Sequence, residues 1–314
     1  MTRCNFTAFL SFLFIGLHIS SGSSESDSLQ GQNRHLGSRI IGGTIANSKR
    51  YPFYTLVNVF ASYSDEWFCG GSLIAPEVVL TAAHCLDSVV SAELWVNSTS
   101  FKYSEYEYFR KAIRFVVHPD YNERTSFNDI ALIFLDAPVV GVPLVLMNRN
   151  ASFPGNNTRN LLTAIGLGVT QVNTTNSNED TYPDNLMEVS VKSTPVLACW
   201  KAYGTELIKE FSICASEEGV GGVCYGDFGG PLLIPSSSVS KNIQVGITSW
   251  GRASNCVAPN LPQVYTRVSY YAKWVDAQIC KFSLNKPSSC PTVKPPTRKP
   301  SAKPSRRPTK KPSA

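Results

Sequence analysis

The sequence predicts an all-β fold that closes with one α-helix and a disordered, basic, Pro-rich tail. Three observations predict it. Short apolar runs rich in β-branched and aromatic residues (53–60, 78–80, 130–135 and 243–248) are separated by Gly, Pro, Asn and Ser, the punctuation of many short strands. Tyr271, Trp274, Val275 and Ile279 recur at helical spacing, which places one amphipathic helix over 270–280. From about Asn285 onward Lys, Pro, Ser and Thr dominate, and proline without apolar partners cannot build a core.

The chain opens with a segment that reads as a signal peptide over 1–22. Arg3 supplies a positive start, and apolar residues between Phe9 and Ile19 form a stretch of about a dozen, within the ~7–15 of an h-region. Ser20 and Gly22 are small enough to flank a cleavage site. A buried N-terminal helix is the competing reading, and the Ser-rich 20–28 stretch argues against it. No apolar run reaches the ~18 residues of a membrane span, so none is expected. Losing Cys4 with the signal leaves eight of nine cysteines, an even number suited to an oxidising, extracellular setting. Sequons at Asn97, Asn150, Asn156 and Asn173 are usable on the same secretory route.

A polar segment without cysteine, 23–39, comes next. It precedes the folded unit, 40–280. With 43% hydrophobic and 17% charged residues, the 314-residue chain has material for one large or two modest cores. The formal net charge of +6 is unevenly spread. Residues 40–280 hold 16 Lys and Arg against 21 Asp and Glu, whereas 281–314 hold ten basic residues and no acidic one. A mildly acidic core does not suit nucleic acid, and no such partner is expected. The tail repeats with period four: Pro296, Pro300, Pro304, Pro308 and Pro312 are each followed by Ser or Thr. Polyproline II turns every three residues, so a four-residue period spreads the cations around the axis. This suits diffuse attraction to an anionic polysaccharide or cell-wall surface. A solvated spacer is the other reading.

Seven strings within 40–280 carry the chemistry: RIIGG (39–43), CGGSLI (69–74), LTAAHC (80–85), NDIAL (128–132), GDFGGP (226–231), SWG (249–251) and VYTRV (264–268). In this order and spacing they resemble the chymotrypsin/trypsin-like serine proteases. The resemblance implies two Greek-key β-barrels with the active site in the cleft between them. It also implies disulfides Cys69–Cys85, Cys199–Cys214 and Cys224–Cys256, each contributing roughly 2–4 kcal/mol. Cys280 and Cys290 are left over; whether they pair stays open, and a bridge there would hold the start of the tail against the helix.

The resemblance places His84 as general base and Asp129 as the carboxylate that orients it. The nucleophile of that motif is a serine, and here its position holds Phe228. A benzyl group has neither an ionisable hydrogen nor a lone pair, so it cannot form an acyl-enzyme. It either packs against His84 or fills the site of the scissile carbonyl. Residues 225–229 hold no other Ser, Thr or Cys, and the Tyr225 hydroxyl points the wrong way in the family. Gly226 and Asp227 form the oxyanion loop. Cleavage between Arg39 and Ile40 would free an amine for Asp227, making 23–39 a propeptide that no cysteine tethers. Gly222, Ser249, Gly251 and Gln263 stand around the specificity pocket. Gly222 occupies the place of the aspartate that recognises Lys or Arg, and Gln263 the place of a glycine in the wall, so its side chain intrudes.

The function expected is that of a secreted protease homologue without peptidase activity, acting on a secreted protein target as inhibitor, decoy or cofactor. Such homologues in the family include inhibitors of cell-wall-degrading enzymes. An active serine endopeptidase, with residue 228 a sequence error or variant, is the alternative. A wall-associated structural protein whose tail carries the function is the third reading. No cofactor is expected. Metal binding has no support either, since His84 and His118 lack neighbouring ligands at a recognised spacing.

Overall fold

The computed structural model describes residues 43–47, 49–61, 65–101, 108–170, 181–216, 222–251, 256 and 261–291. In chain order its strands are β1 (Thr44–Ile45), β2 (Tyr54–Ala61), β3 (Glu66–Ala75), β4 (Val78–Thr81), β5 (Val89–Val96), β6 (Tyr108–Val117) and β7 (Ala131–Leu135). There follow β8 (Leu146–Met147), β9 (Leu161–Gly166), β10 (Met187–Ser193), β11 (Ser212–Ser216), β12 (Pro231–Ile234), β13 (Ile243–Trp250) and β14 (Gln263–Arg267). Two helices, α1 (Val196–Tyr203) and α2 (Val268–Phe282), complete the list.

Strands β2, β3, β4, β7, β6 and β5 close into one antiparallel barrel. Strands β10, β11, β14, β13 and β12 continue to β9, which pairs back with β10 and closes the second. In each barrel three consecutive strands pair in series and the fourth returns beside the first, the Greek-key order the resemblance implied. Strands β4 (VVLT) and β7 (ALIFL) are buried along their whole length, which is why they read as unbroken apolar runs. Strand β6 instead alternates over Tyr108–Ile113, one face half-buried and the other exposed.

Both helices refine the sequence reading. The C-terminal one starts at Val268 and runs through Phe282, two residues beyond 270–280 at each end; Val268, Tyr271, Ala272, Val275 and Ile279 form its buried stripe. The shorter α1 escaped the periodicity argument, because eight residues are too few to show a stripe. Its marks are Pro195 at the start and Gly204, with φ 88°, just past the end.

All four disulfides form, including Cys280–Cys290. The folded part therefore does not stop at 280. Lys281 and Phe282 are the last turn of α2, the Ser283 N–H donates to the Ile279 carbonyl, and the Asn285 N–H donates to Glu77 Oε1 at 3.0 Å. Residues 1–42 and 292–314, and with them the expected signal peptide and propeptide and the proline repeat, lie outside the described residues. Among the described residues no helix is long and apolar enough to cross a membrane.

Candidate active site

Strand pairing builds the centre of the cleft. Thr81 at the end of β4 faces Ala131 at the start of β7, so the turn after one strand meets the turn before the other. The first turn is a short 3-10 segment, His84–Leu86; the second carries Asp129. The His84 Nδ1 lies 2.8 Å from Asp129 Oδ2, and the His84 backbone N–H donates to Oδ1 at 2.9 Å. The carboxylate thus holds both the ring and the chain that carries it, and fixes the tautomer with the proton on Nδ1.

Asp129 is fully buried, and its remaining partners explain how it stays so. The β13–β14 register slips between Thr248 and Trp250, leaving Ser249 as the bulged residue. Its hydroxyl is thereby aimed at Asp129 Oδ2, 2.5 Å away. The Thr266 hydroxyl donates to the Asp129 carbonyl at 2.8 Å. The side chain of Ser249, a residue the sequence reading groups with Gly222, Gly251 and Gln263, is thus committed to the carboxylate. Thr266 was not singled out at all; its position inside VYTRV was the only signal. Burial opposes charging the His84 ring, but the charge of Asp129 and their hydrogen bond outweigh it. The imidazole therefore titrates above its ordinary value.

A family model described as Trypsin matches residues 40–275. Brachyurin of Leptuca pugilator is 31% identical over 244 residues, covering 76% of this chain and 98% of that protein. Trypsin beta of Drosophila erecta is 33% identical over 243 residues, 76% of this chain and 88% of that protein. Trypsin alpha of Drosophila melanogaster is 31% identical over 244 residues, with 76% and 87% covered. The chain belongs to the trypsin family.

In a trypsin-family cleft the GDFGGP turn stands opposite the imidazole. Gly226 and Gly229 take φ values of 91° and 78°, which side chains disfavour, and this lets the turn fold back on itself. The Phe228 carbonyl accepts from the Gly70 N–H at 2.7 Å, tying the turn to β3 of the first barrel. So held, the half-buried Phe228 ring meets His84 edge-on, centroids 5.2 Å apart and planes at 80°. Tyr225 also neighbours Phe228, with ring centroids 6.3 Å apart, and is exposed.

Asp227 is entirely buried. The Gly168 N–H donates to its Oδ1 at 2.7 Å and the Cys224 N–H to its Oδ2 at 2.8 Å. A methyl group at Gly166 would stand 1.9 Å from Oδ1, and one at Gly168 2.5 Å from the carboxyl carbon, so only glycines admit this carboxyl. Gly166 and Gly168 went unremarked in the sequence, although two glycines around one leucine were a visible sign. Burial pushes the Asp227 pKa up to about 7 against the pull of the two N–H donors.

The pocket residues come together as well. A methyl at Gly251 would lie 2.1 Å from Gln263 Oε1, and one at Gly222 3.4 Å from Gln263 Cγ. The Gln263 side chain therefore spans the space between the two glycines. Arg39, Ile40 and Asn173 lie outside the described residues. Asn150 and Asn156 are exposed, while Asn97, with φ 61°, is half-buried at the end of β5. Among the described residues the one grouping of possible metal ligands is Cys69, His84 and Cys85, and both sulfurs are consumed in a disulfide.

Proposed function

We propose that this chain is a secreted trypsin-family homologue that binds a protein target through its cleft without cleaving peptide bonds. One observation carries the reading: the residue facing His84 from the GDFGGP turn is Phe228, whose ring lies 5.2 Å from the imidazole. A base with a hydrocarbon opposite it has no proton to take. Loss of the serine alone lowers turnover in subtilisin by about 2 × 10⁶. The Gln263 side chain between Gly222 and Gly251 adds to this, since it stands where a substrate side chain would enter. Four disulfides and exposed sequon asparagines fit an oxidising, extracellular setting. There the chain acts as inhibitor, decoy or cofactor, and its basic tail holds it near an anionic polysaccharide.

The intact pairing of His84 with Asp129 supports a second reading, an active endopeptidase whose residue 228 is a variant. A fluorophosphonate probe separates the two. The purified chain, cut after Arg39, should stay unlabelled; one label per molecule in the cleft would establish the endopeptidase and end the proposal.

A further inference from the structure

We propose that the cavity between α1, β11 and the 151–156 loop is a binding site for a small organic carboxylate, anchored by Arg267. The cavity measures about 480 Å³, a size that suits a small ligand, and none of His84, Asp129 and Phe228 lines it.

Arg267 enters it from the end of β14. Its Nη1 donates to the Phe153 and Pro154 carbonyls at 3.3 and 3.4 Å, and its Nη2 to the Ser212 carbonyl at 3.2 Å. Its Nε is buried without a partner, and among the described residues no carboxylate lies within ion-pair distance. Neutral oxygens at such lengths leave the positive charge uncompensated, and burial pulls the guanidinium below its ordinary pKa. A half-buried cation with only carbonyls for company gains from an anion that can reach it.

The wall defines the rest of the ligand. Lys209 is a second cation, already paired with Glu206 at 3.9 Å, and Glu210 is the single acid in the wall, so Arg267 is the cation left for one negative charge. Trp200 donates its indole N–H to the Ile208 carbonyl at 3.1 Å, which leaves the ring as apolar lining. With Pro154 and Ile208 it offers an apolar bed beside the guanidinium. A carboxylate on an apolar body matches this pattern.

Calorimetric titration of the full chain with benzoate, benzyl alcohol and inorganic sulfate tests the site. Benzoate should bind one to one with sub-millimolar affinity, at least about tenfold more tightly than either of the others. Arg267→Gln should weaken benzoate by about tenfold or more and leave the weak binding of benzyl alcohol unchanged. Lys209→Gln, at a half-buried side chain, tests the charge if the first variant does not fold, with about a threefold loss expected. Benzoate no tighter than benzyl alcohol, no saturation by about 10 mM, or full affinity in the folded Arg267→Gln variant would each overturn the proposal.

Discussion

The ring of Phe228 stands edge-on to the imidazole of His84, 5.2 Å between centroids and 80° between planes. Aromatic pairs favour this geometry, by about 0.5–1.5 kcal/mol beyond the area they bury. The contact between turn and base has thus become one of packing. Phe228→Ser should lower stability by about 1–3 kcal/mol in urea denaturation. In the chain cut after Arg39 it should also allow fluorophosphonate labelling that the parent lacks.

Turnover in that variant should remain weak because of Gln263. Adding Gln263→Gly should raise kcat/KM by about tenfold or more on substrates with an apolar residue before the scissile bond. Substrates with Arg or Lys there should gain little, since Gly222 offers no carboxylate. A larger gain on the basic substrates would show that the pocket has been misread.

The pKa of His84 can be followed through its carbon-bound proton by NMR. Burial pushes it down and Asp129 pushes it up, with Asp129 the winner, so the folded value lies above the ordinary ~6.5. The stability this gives is full below ~6.5 and is lost as pH rises through the folded value. Asp129→Asn removes the charge and leaves the burial, and His84 should then titrate below ~6.5. A His84 that stays put would show that something other than Asp129 holds its proton.

Asp227 gives a dependence of the same sign, over a lower pH window. Its folded pKa, pushed up by burial to about 7, exceeds the ~3.9 of an unfolded aspartate. Between those values the native state binds more protons, so the uncut chain should lose stability as pH rises from ~4 to ~7, by on the order of 2–4 kcal/mol. Asp227→Asn should abolish that part of the slope. Cleavage after Arg39 should do the same if the freed Ile40 ammonium reaches the carboxyl. Melting temperatures across this range, for the three forms, decide the matter.

Much of this was legible in the sequence because closed barrels write clear strands: β4 and β7 are buried on both faces and read as solid apolar runs. The pairing of His84 with Asp129 was implied by the family resemblance, and it forms because the strands beside the two motifs, β4 and β7, are neighbours. What stayed hidden depends on register and reach. The bulge that aims the Ser249 hydroxyl at Asp129 is a slip of one residue, and no composition signals it. The bond from Asn285 to Glu77 joins residues far apart in the chain, and a Lys/Pro/Ser stretch gives no hint that its beginning is fastened down.

Glu77 precedes β4 at one end, and His84 follows it at the other, so Asn285 is fastened at the end of the strand remote from the base. Four strand residues span roughly 13 Å. Residues 283–285 are thereby held at the far end of β4, clear of the turn that carries His84.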